Sequence, residues 1–303
     1  MSALPPGYSL RRPRSADAEA AAAVMTAAGE GAEEVTADDV RHEWHLLDAD
    51  GEVWIAESDG LVAAVAGLLK RADDHVASEA YIDPEHRGRG LGSELVALIE
   101  ERAQALAPGA RLTNGVLASD RAALTLLGRR GYKPVRHFYR MAVDLQEPPP
   151  APHWPEGLEP RPFDRDHAEK FHDASEEAFA EEWGHRRKTF DEFRRERMDA
   201  PGASLDLWMG VWDEDEITAT MMCDARRFET GWIATIGVRK PWRRRGLGLA
   251  LLHHAFAEFW HRGERTVALG VDAENPTGAT RLYDRAGMHV LFDAVVYEKQ
   301  LGV

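Results

Sequence analysis

The feature of this sequence that most constrains its fold is an internal repeat. Two glycine-rich segments, residues 87–92 (Arg-Gly-Arg-Gly-Leu-Gly) and residues 243–248 (Arg-Arg-Arg-Gly-Leu-Gly), lie 156 positions apart (243 minus 87). A second pair of landmarks, Gly131 in Arg-Arg-Gly-Tyr and Gly287 in Arg-Ala-Gly-Met, has the same offset. Two landmarks at one spacing, with no gap between them, indicate a duplicated domain. A period of this length is too long for a solenoid, so the repeat predicts two tandem domains.

A proline-rich segment separates the two copies. Residues 148–152 read Pro-Pro-Pro-Ala-Pro. Proline at this density resists helix and sheet and favours an extended, semi-rigid linker. The chain has 303 residues, which is enough for two ordinary domains. We therefore expect an N-terminal domain over 1–147, a linker over 148–160 and a C-terminal domain over 161–303.

Apolar periodicity and turn residues predict the same order of elements in both copies. Each copy begins with a strand and two helices, continues with a β-hairpin and a strand that enters the glycine-rich segment, and ends with helix, strand, helix and strand. In the first copy the predicted elements cover 8–13, 20–28, 35–47, 53–57, 61–69, 79–82, a helix from 91, 112–117, 120–130 and 135–143. In the second copy they cover 158–162, 165–180, 189–198, 207–212, 217–223, 233–238, a helix reaching 260, 266–271, 277–286 and 290–299.

The glycine-rich segment of the second copy has the local pattern of an anion-binding turn. It follows an apolar strand and opens an apolar-periodic helix. The first turn of a helix has backbone N–H groups without partners inside the helix, and the positive end of the helix dipole adds to them, so phosphates bind there. Gly246 and Gly248 have no side chain, which lets a phosphate come close to the backbone.

Two motifs together indicate a family. Both copies match the pattern Arg/Gln-x-x-Gly-x-Gly after a strand, and the second copy also carries Asn-Pro-Thr-Gly-Ala-Thr-Arg-Leu-Tyr-Asp-Arg-Ala-Gly-Met over 275–288. These segments resemble the GNAT superfamily of acyl-CoA-dependent N-acetyltransferases over nearly the whole chain, and among tandem members the chain looks most like the mycothiol synthase group. The resemblance implies an α+β fold with two tandem GNAT-like domains, each a mixed, mostly antiparallel, twisted sheet flanked by helices. In such a sheet two neighbouring strands splay apart, and the pantetheine arm of the cofactor lies in the gap.

By the same resemblance, acetyl-CoA is the co-substrate, and its contacts fall on the strand and turn of each copy. The main chain of the strand would pair with the pantetheine amides and polarise the thioester carbonyl, and the N–H groups of 244–249 would hold the pyrophosphate. In the second copy the contact residues are Ile236, Gly237, Val238, Arg243, Arg244, Arg245, Gly246, Leu247, Gly248, Leu249 and Asn275. In the first copy they are Ala80, Tyr81, Ile82, Arg87, Gly88, Arg89, Gly90, Leu91, Gly92 and Ser93.

One tyrosine distinguishes the two copies. Tyr283 stands where the family often places a tyrosine beside the leaving sulfur, whereas the first copy has Leu127 at the equivalent position. A tyrosine has a reference pKa of about 10 and a thiol of about 8.5, so a hydrogen bond from the phenol is enough to help the thiolate leave. Leucine cannot donate a hydrogen bond. We therefore expect the catalytic site in the second domain, with Tyr283 as its acid, and a catalytically silent first domain.

The general base is not fixed by the sequence. The mycothiol synthase group is expected to carry a carboxylate on the strand before the glycine-rich turn, but residues 231–236 read Gly-Trp-Ile-Ala-Thr-Ile. A base acting through water could be Glu182, His185, Asp272 or Glu274.

The acceptor pocket of the family lies between the first two helices of a domain. In the second copy that region contains Trp183-Gly184-His185. Trp183 and His185 are therefore candidates for contact with the acceptor.

Composition limits the partners. A formal net charge of −15 argues against general nucleic-acid binding. The single cysteine, Cys223, excludes a disulfide framework and a thiolate metal site. Adjacent residues on a helix point about 100° apart, so His253 and His254 do not form a metal pair, and no metal is expected. The chain shows no signal peptide and no run long enough to span a bilayer, so we expect a cytoplasmic monomer or homodimer without a membrane partner.

These observations predict an N-acetyltransferase that moves an acetyl group from acetyl-CoA directly to a primary amine of a small molecule. Direct transfer needs no acyl-enzyme, so no cysteine or serine nucleophile is required. Acylation of a protein or peptide amine is one alternative, and a CoA-binding regulatory module without catalysis is another. A nucleotide-binding turn is disfavoured because no Gly-Lys-Ser/Thr follows the glycines.

Overall fold

The chain folds into two compact units that do not follow a simple division of the sequence. The computed structural model describes residues 4–29, 33–47, 51–200, 202–275 and 277–302. The first unit comprises Met1–Phe138 together with Phe292–Val303, and the second comprises Tyr139–Leu291. Each unit contains strands of mixed orientation with helices on both faces.

The elements of the N-terminal half match the predicted order. They are β1 (Ser9–Arg11), α1 (Ala18–Ala28), α2 (Ala37–Leu47), β2 (Gly51–Ser58), β3 (Leu61–Ala72), β4 (His75–Ile82), α3 (Leu91–Leu106), β5 (Arg111–Leu117), α4 (Arg121–Arg129) and β6 (Lys133–Asp144). The predicted hairpin turns at Asp59 and Gly60, both at positive φ (50° and 78°), as a tight two-residue turn between antiparallel strands requires.

The C-terminal half repeats this order. Its elements are β7 (Glu159–Pro162), α5 (Ala168–Phe179), α6 (Phe190–Phe193), β8 (Met209–Asp213), β9 (Glu216–Arg227), β10 (Thr230–Val238), α7 (Leu247–His261), β11 (Thr266–Asp272), α8 (Ala279–Arg285) and β12 (His289–Gln300). The helix predicted over 189–198 is α-helical only in α6, where Thr189 and Glu192 form a capping box, and continues as a π-turn over Arg194–Met198.

Strand order is the same in both units and confirms the predicted mixed, mostly antiparallel sheet. The first unit runs β1-β2-β3-β4-β5-β12 and the second runs β7-β8-β9-β10-β11-β6. β4 and β5 pair in parallel, as do β10 and β11, whereas the other strand pairs with a determined register are antiparallel.

The two units complete their sheets with strands that lie far away in sequence. In the first unit β12 pairs with β5, from Ala294 opposite Leu117 to Gln300 opposite Arg111. In the second unit, β6 lies beside β11, and the N–H of Leu145 donates to the carbonyl of Arg265 at 2.7 Å. The predicted ranges 1–147 and 161–303 follow sequence order, whereas the compact units exchange their last strands.

Alternating side chains cover both faces of each sheet. In the first unit Ile55 packs with the small residues of α1, and its neighbour Trp54 packs on the opposite face against α3. This period of two is what a strand buried on both faces requires. In the second unit α7 contributes Leu251 and Phe256 to the larger core, and α5 contributes Phe171 to the core on the other face.

Candidate functional site

The sheet of the second unit opens beside β10. β10 pairs in parallel with β11 only at Gly231 and Trp232, opposite Val267 and Ala268. On its other side it stays paired with β9 as far as Val238, opposite Ala219. The residues predicted to hold the pantetheine arm therefore have one edge of their backbone paired and the other facing the gap between the splayed strands. A chain bearing amides can bind there as an added strand.

The turn after β10 presents a row of backbone N–H groups. Gly246 caps α7 in the left-handed region at φ 93°, and Arg244 also has positive φ, at 64°. Among the described residues none accepts a hydrogen bond from the N–H groups of residues 244–248, whereas the N–H of Leu249 donates to the carbonyl of Gly246 at 3.1 Å. Unpaired N–H groups at the start of a 15-residue helix fit a pyrophosphate.

The two glycines of this turn have different roles. A Cβ on Gly246 would meet nothing within 4 Å, so this residue serves the left-handed backbone and leaves the turn open. A Cβ on Gly248 would come within 2.7 Å of Leu282 Cδ2. Gly248 therefore allows α8 to pack closely against α7, and α8 carries Tyr283.

Arg243 does not point into the open turn. Its guanidinium donates to the carbonyls of Val238 and Ala178 at 3.0 Å each and to Glu181 at 2.7 Å. These bonds attach the turn to the end of α5. The side chains of Arg244 and Arg245 are exposed, so they are the arginines of this turn that remain available to an anion.

Tyr283 lies on α8 at the edge of the main core of the second unit. The residue is 6% exposed and packs with the apolar side chains of α7 and β11. Its hydroxyl makes no hydrogen bond to a described residue. Burial first, and the charge of Glu182 second, raise the pKa of Tyr283, which keeps the phenol protonated.

Glu182 is the carboxylate whose charge acts on Tyr283. It follows α5, is half-buried, and accepts a hydrogen bond from the side-chain amide of Asn275 at 3.2 Å. Burial raises the pKa of Glu182, and the neighbouring charge of Asp272 raises it further. Asp272 is 8% exposed and ends β11. Tyr283, Glu182, Asp272 and Asn275 thus form one cluster, which we call the acid–base cluster.

The other residues predicted near the acceptor are arranged differently. His185 lies 3.3 Å from Glu176 through its Nε2 atom, and Glu176 also accepts the backbone N–H of Lys188 at 3.1 Å. Trp183 is half-buried in the same segment between α5 and α6. Glu274 is exposed, and its backbone N–H donates to Asp272. Pro276 of the family motif lies outside the described residues.

Sequence reasoning missed one polar atom of this region. The hydroxyl of Thr235, on β10, is buried and has no hydrogen-bond partner among the described residues. Two residues later, a Cβ on Gly237 would meet Phe179 of α5 at 2.8 Å, so this face of the strand looks towards α5. A threonine in an apolar strand carries no signal of such a role. Its hydroxyl is an unsatisfied polar atom on the face of β10 that looks towards α5.

The first unit repeats the splayed strands and the turn with unpaired N–H groups, but not the acid–base cluster. β4 pairs in parallel with β5 only as far as Ser78 opposite Asn114, and continues to Ile82 beside β3. The turn after it has Gly88 and Gly90 at positive φ (76° and 84°). Among the described residues, none accepts a hydrogen bond from the N–H groups of residues 88–92, and the N–H of Ser93 donates to Gly90.

Two other residues of the first unit, Arg87 and Leu127, correspond to Arg243 and Tyr283 of the second. Arg87 donates to the carbonyl of Ala28 at the end of α1, as Arg243 does at the end of α5. Leu127, the counterpart of Tyr283, is 2% exposed and lies in the core.

A separate cleft of about 330 Å³ lies along α5. It is lined by Glu169, His172, Asp173, Arg187, Lys188, Thr189 and Phe190. This cleft contains none of the predicted site residues. No helix among the described ranges is both long and apolar enough to cross a membrane.

Comparison with known proteins agrees with this geometry. The model of the acetyltransferase (GNAT) family matches residues 19–132 and again residues 159–288. A mycothiol acetyltransferase of Cellulomonas flavigena is 33% identical over 221 residues, which span 69% of this chain and 63% of that protein. Another, of Corynebacterium efficiens, is 29% identical over 75% of this chain and 76% of its own length.

Solved structures show the same fold over both units. A GCN5-related N-acetyltransferase from Sphaerobacter thermophilus is 36% identical, covers 99% of this chain and 98% of its own, and superposes with a TM-score of 0.83. A tandem GNAT protein from the clavulanic acid biosynthesis pathway shares the fold at 15% identity, with a TM-score of 0.71 over 98% and 99% of the two chains. With two family matches that together cover most of its length, the chain belongs to the GNAT family of acyl-CoA-dependent acetyltransferases.

Proposed function

We propose that the second unit transfers an acetyl group from acetyl-CoA directly to a primary amine of a small molecule. The observation that carries this proposal is the acid–base cluster at the open edge of β10, next to the free N–H groups of the turn. A thioester held along β10 would have backbone dipoles at its carbonyl and two ionisable side chains beside it. Fixed dipoles of this kind stabilise a developing oxyanion without reorganisation.

Glu182 is the proposed general base, acting directly or through one water. A primary amine is mostly protonated at neutral pH, so it must lose one proton before its nitrogen attacks the thioester and a second one as the amide forms. A carboxylate whose pKa is raised accepts that proton more readily than an ordinary glutamate. The amide of Asn275 holds one oxygen of this carboxylate and leaves the other free.

Tyr283 is the proposed acid. Its phenol stays protonated because burial and the charge of Glu182 disfavour the phenolate. The hydroxyl has no described protein partner, so it can donate to the sulfur as the thiolate leaves. This donation lowers the barrier to breaking the thioester bond.

The first unit is proposed to bind CoA through its own turn without transferring the acetyl group. It has the free N–H groups and the splayed strands, but Leu127 replaces the acid. On this proposal activity belongs to the domain predicted over 161–303, and the copy over 1–147 serves binding or stability.

The relatives support a small-molecule acceptor. Proteins that match this chain over about 70% of its length carry the name mycothiol acetyltransferase. Thr235, Trp183 and His185 are the proposed polar and aromatic contacts of the acceptor, since they lie on β10 and on the segment that contains Glu182.

The test is release of CoA thiol across a panel of small primary amines, followed with a thiol reagent. We expect turnover with at least one amine and a loss on the order of 10²-fold in kcat for Tyr283→Phe. Tyr139→Phe, which makes the same chemical change at another tyrosine packed against the core of the second unit, should leave kcat unchanged. Tight CoA binding without thiol release from any amine would instead indicate a binding module, and release only with peptides would indicate a protein acceptor.

A further inference from the structure

The loop between β11 and α8 fixes the orientation of the Asn275 side chain. Its amide oxygen, Oδ1, accepts hydrogen bonds from the backbone N–H of Thr277 at 2.9 Å and from the Thr277 hydroxyl at 2.5 Å. A side-chain amide carries its oxygen and its NH2 group on different sides, so two donors at the oxygen turn the NH2 group away from Thr277. That group donates to Oε1 of Glu182 at 3.2 Å. Thr277 therefore determines which end of Asn275 faces the carboxylate.

The main chain of the loop is held on both sides of Asn275. The N–H of Asn275 donates to the carbonyl of Asp272 at 3.1 Å, and the carbonyl of Asn275 accepts from the N–H of Gly278 at 3.2 Å. Gly278 caps α8 in the left-handed region at φ 78°. The backbone thus fixes where Asn275 lies, and Thr277 binds its amide oxygen.

The carboxylate of Glu182 depends on this amide. Its main chain is fixed after α5, because the N–H of Glu182 donates to the carbonyl of Phe179 at 2.9 Å and its carbonyl accepts from the N–H of His185 at 3.1 Å. Among the described residues, Asn275 alone donates a hydrogen bond to the carboxylate. A glutamate side chain has several rotatable bonds, so without that donor the carboxylate can take several positions.

The first copy has a different pair at these positions. Ser119 and Arg121 correspond in the repeat to Asn275 and Thr277 (275 minus 156 and 277 minus 156). Neither has a side-chain amide, and the N–H of Arg121 donates to the backbone carbonyl of Ser119 at 2.9 Å. The Asn275–Thr277 pair therefore belongs to the copy that carries Tyr283, and the shared fold does not require it.

We propose that Thr277 is a positioning residue of the transfer reaction. It acts through Asn275, whose NH2 group keeps the Glu182 carboxylate turned towards the amine that loses its proton. This role rests on the proposed function, in which Glu182 is the base. A base that is oriented by a second group is a recurring arrangement in enzymes, and here the second group is itself fixed by a third.

The first test follows the carboxyl group of Glu182 in the full chain without substrates. Its titration is measured by 13C NMR of the side-chain carboxyl carbon, and Glu182→Gln assigns the signal. Burial and the charge of Asp272 raise the pKa of Glu182, whereas the hydrogen bond from Asn275 lowers it. Asn275→Leu removes this bond, so we expect the midpoint to move to higher pH. Thr277→Val removes only the hydroxyl and should move the midpoint in the same direction by less.

The second test measures kcat and the pH profile with an amine identified in the panel. The Thr277 hydroxyl makes one neutral hydrogen bond, so Thr277→Val should lower kcat about fivefold, whereas Asn275→Leu, which removes a bond to a charged group, should lower it about 10- to 100-fold. In both variants the rise of log kcat/KM with pH should begin at higher pH than in the parent. Thr277→Ser keeps the hydroxyl and should behave as the parent does. Thr277 is exposed, so these changes should leave the fold intact.

A double variant shows whether Thr277 acts through Asn275. In a chain that already carries Asn275→Leu, the further change Thr277→Val should alter neither kcat nor the titration midpoint. Thr266→Val is the matched control, because it removes a hydroxyl at the other end of β11 that donates to Asp144 at 2.8 Å. It should leave both quantities as in the parent.

Three results would overturn the role of Thr277. These are a Thr277→Val variant that equals the parent in both tests, losses that multiply in the double variant, and a Thr277→Ser variant as impaired as Thr277→Val. Full kcat in Glu182→Gln would instead overturn the proposed base. A midpoint that still moved in Asn275→Leu and Thr277→Val would then confirm that these two residues hold the carboxylate.

Discussion

At the scale of single residues, the state of Glu182 should set the acidic side of the pH–rate profile. Asp272 contributes a like charge that raises the pKa of Glu182. Removing that charge with Asp272→Asn should lower the pKa of Glu182, so a larger share of the base is ionised at low pH. The rise of log kcat/KM with pH should therefore begin at lower pH than in the parent. The measurement is kcat/KM between pH 5 and 9 with an amine identified in the panel.

The control for this prediction is Glu274→Gln. Glu274 is also an acid near the end of β11, but it is exposed and does not contribute to the pKa shift of Glu182. Its replacement should leave the acidic limb, that is, the rise of log kcat/KM on the acidic side of the profile, at the same pH. If Glu274→Gln moved the limb and Asp272→Asn did not, the base would have to be assigned elsewhere.

The sequence alone suffices to propose Tyr283 as the acid, but it does not point to Glu182 as its neighbour. The tyrosine stands out because the repeat places Leu127 opposite it. The sequence offers four candidates for the base and does not choose between them. The hydrogen bond that links Glu182 to Asn275 joins residues 93 positions apart. No local pattern encodes such a contact. The unsatisfied hydroxyl of Thr235 depends in the same way on how α5 lies against β10.

At the scale of elements, the contact between α7 and α8 should control the position of Tyr283, the proposed acid. Gly248→Ala would bring a methyl group within 2.7 Å of Leu282, so α8 or the Leu282 side chain must shift. Because Tyr283 is the next residue on α8, we expect kcat to fall about tenfold while the Kd of CoA changes less than threefold. The measurements are steady-state kinetics and calorimetric titration with CoA.

The repeat offers a matched control for this prediction. A Cβ on Gly92 would meet Ile82 and Leu126 at the milder distances of 3.2 and 3.4 Å, and no tyrosine follows Leu126. Gly92→Ala should therefore leave kcat unchanged. A large loss of CoA affinity in Gly248→Ala, with kcat intact, would mean that this glycine serves phosphate approach instead of helix packing.

Periodicity and turn residues predicted nearly every element, because strands of period two and amphipathic helices are local patterns. The role of Gly248 could not be predicted in this way. From sequence it was interpreted, like Gly246, as space for a phosphate. The structure separates the two glycines by what surrounds each, an open turn at Gly246 and the side chain of Leu282 at Gly248.

At the scale of the whole molecule, the exchange of last strands was beyond sequence reasoning. The strands predicted over 135–143 and 290–299 form, but equivalent positions in a duplicated sequence cannot show which copy each strand joins. Residues after Phe292 complete the sheet of the first unit, and residues after Tyr139 complete that of the second. The sheet of each unit is therefore completed by a strand that the repeat assigns to the other copy.

This exchange predicts crossed effects of two core substitutions. Leu301, near the C-terminus, is 7% exposed and lies in the core of the first unit, where its N–H donates to Ala110. Met141 is 1% exposed and lies in the core of the second unit. Leu301→Ala and Met141→Ala should each cost about 2–5 kcal/mol. By hydrogen exchange, Leu301→Ala should lower protection in β2–β5 and Met141→Ala in β8–β10, and the reverse pattern would show that each strand belongs to the domain of its own sequence copy.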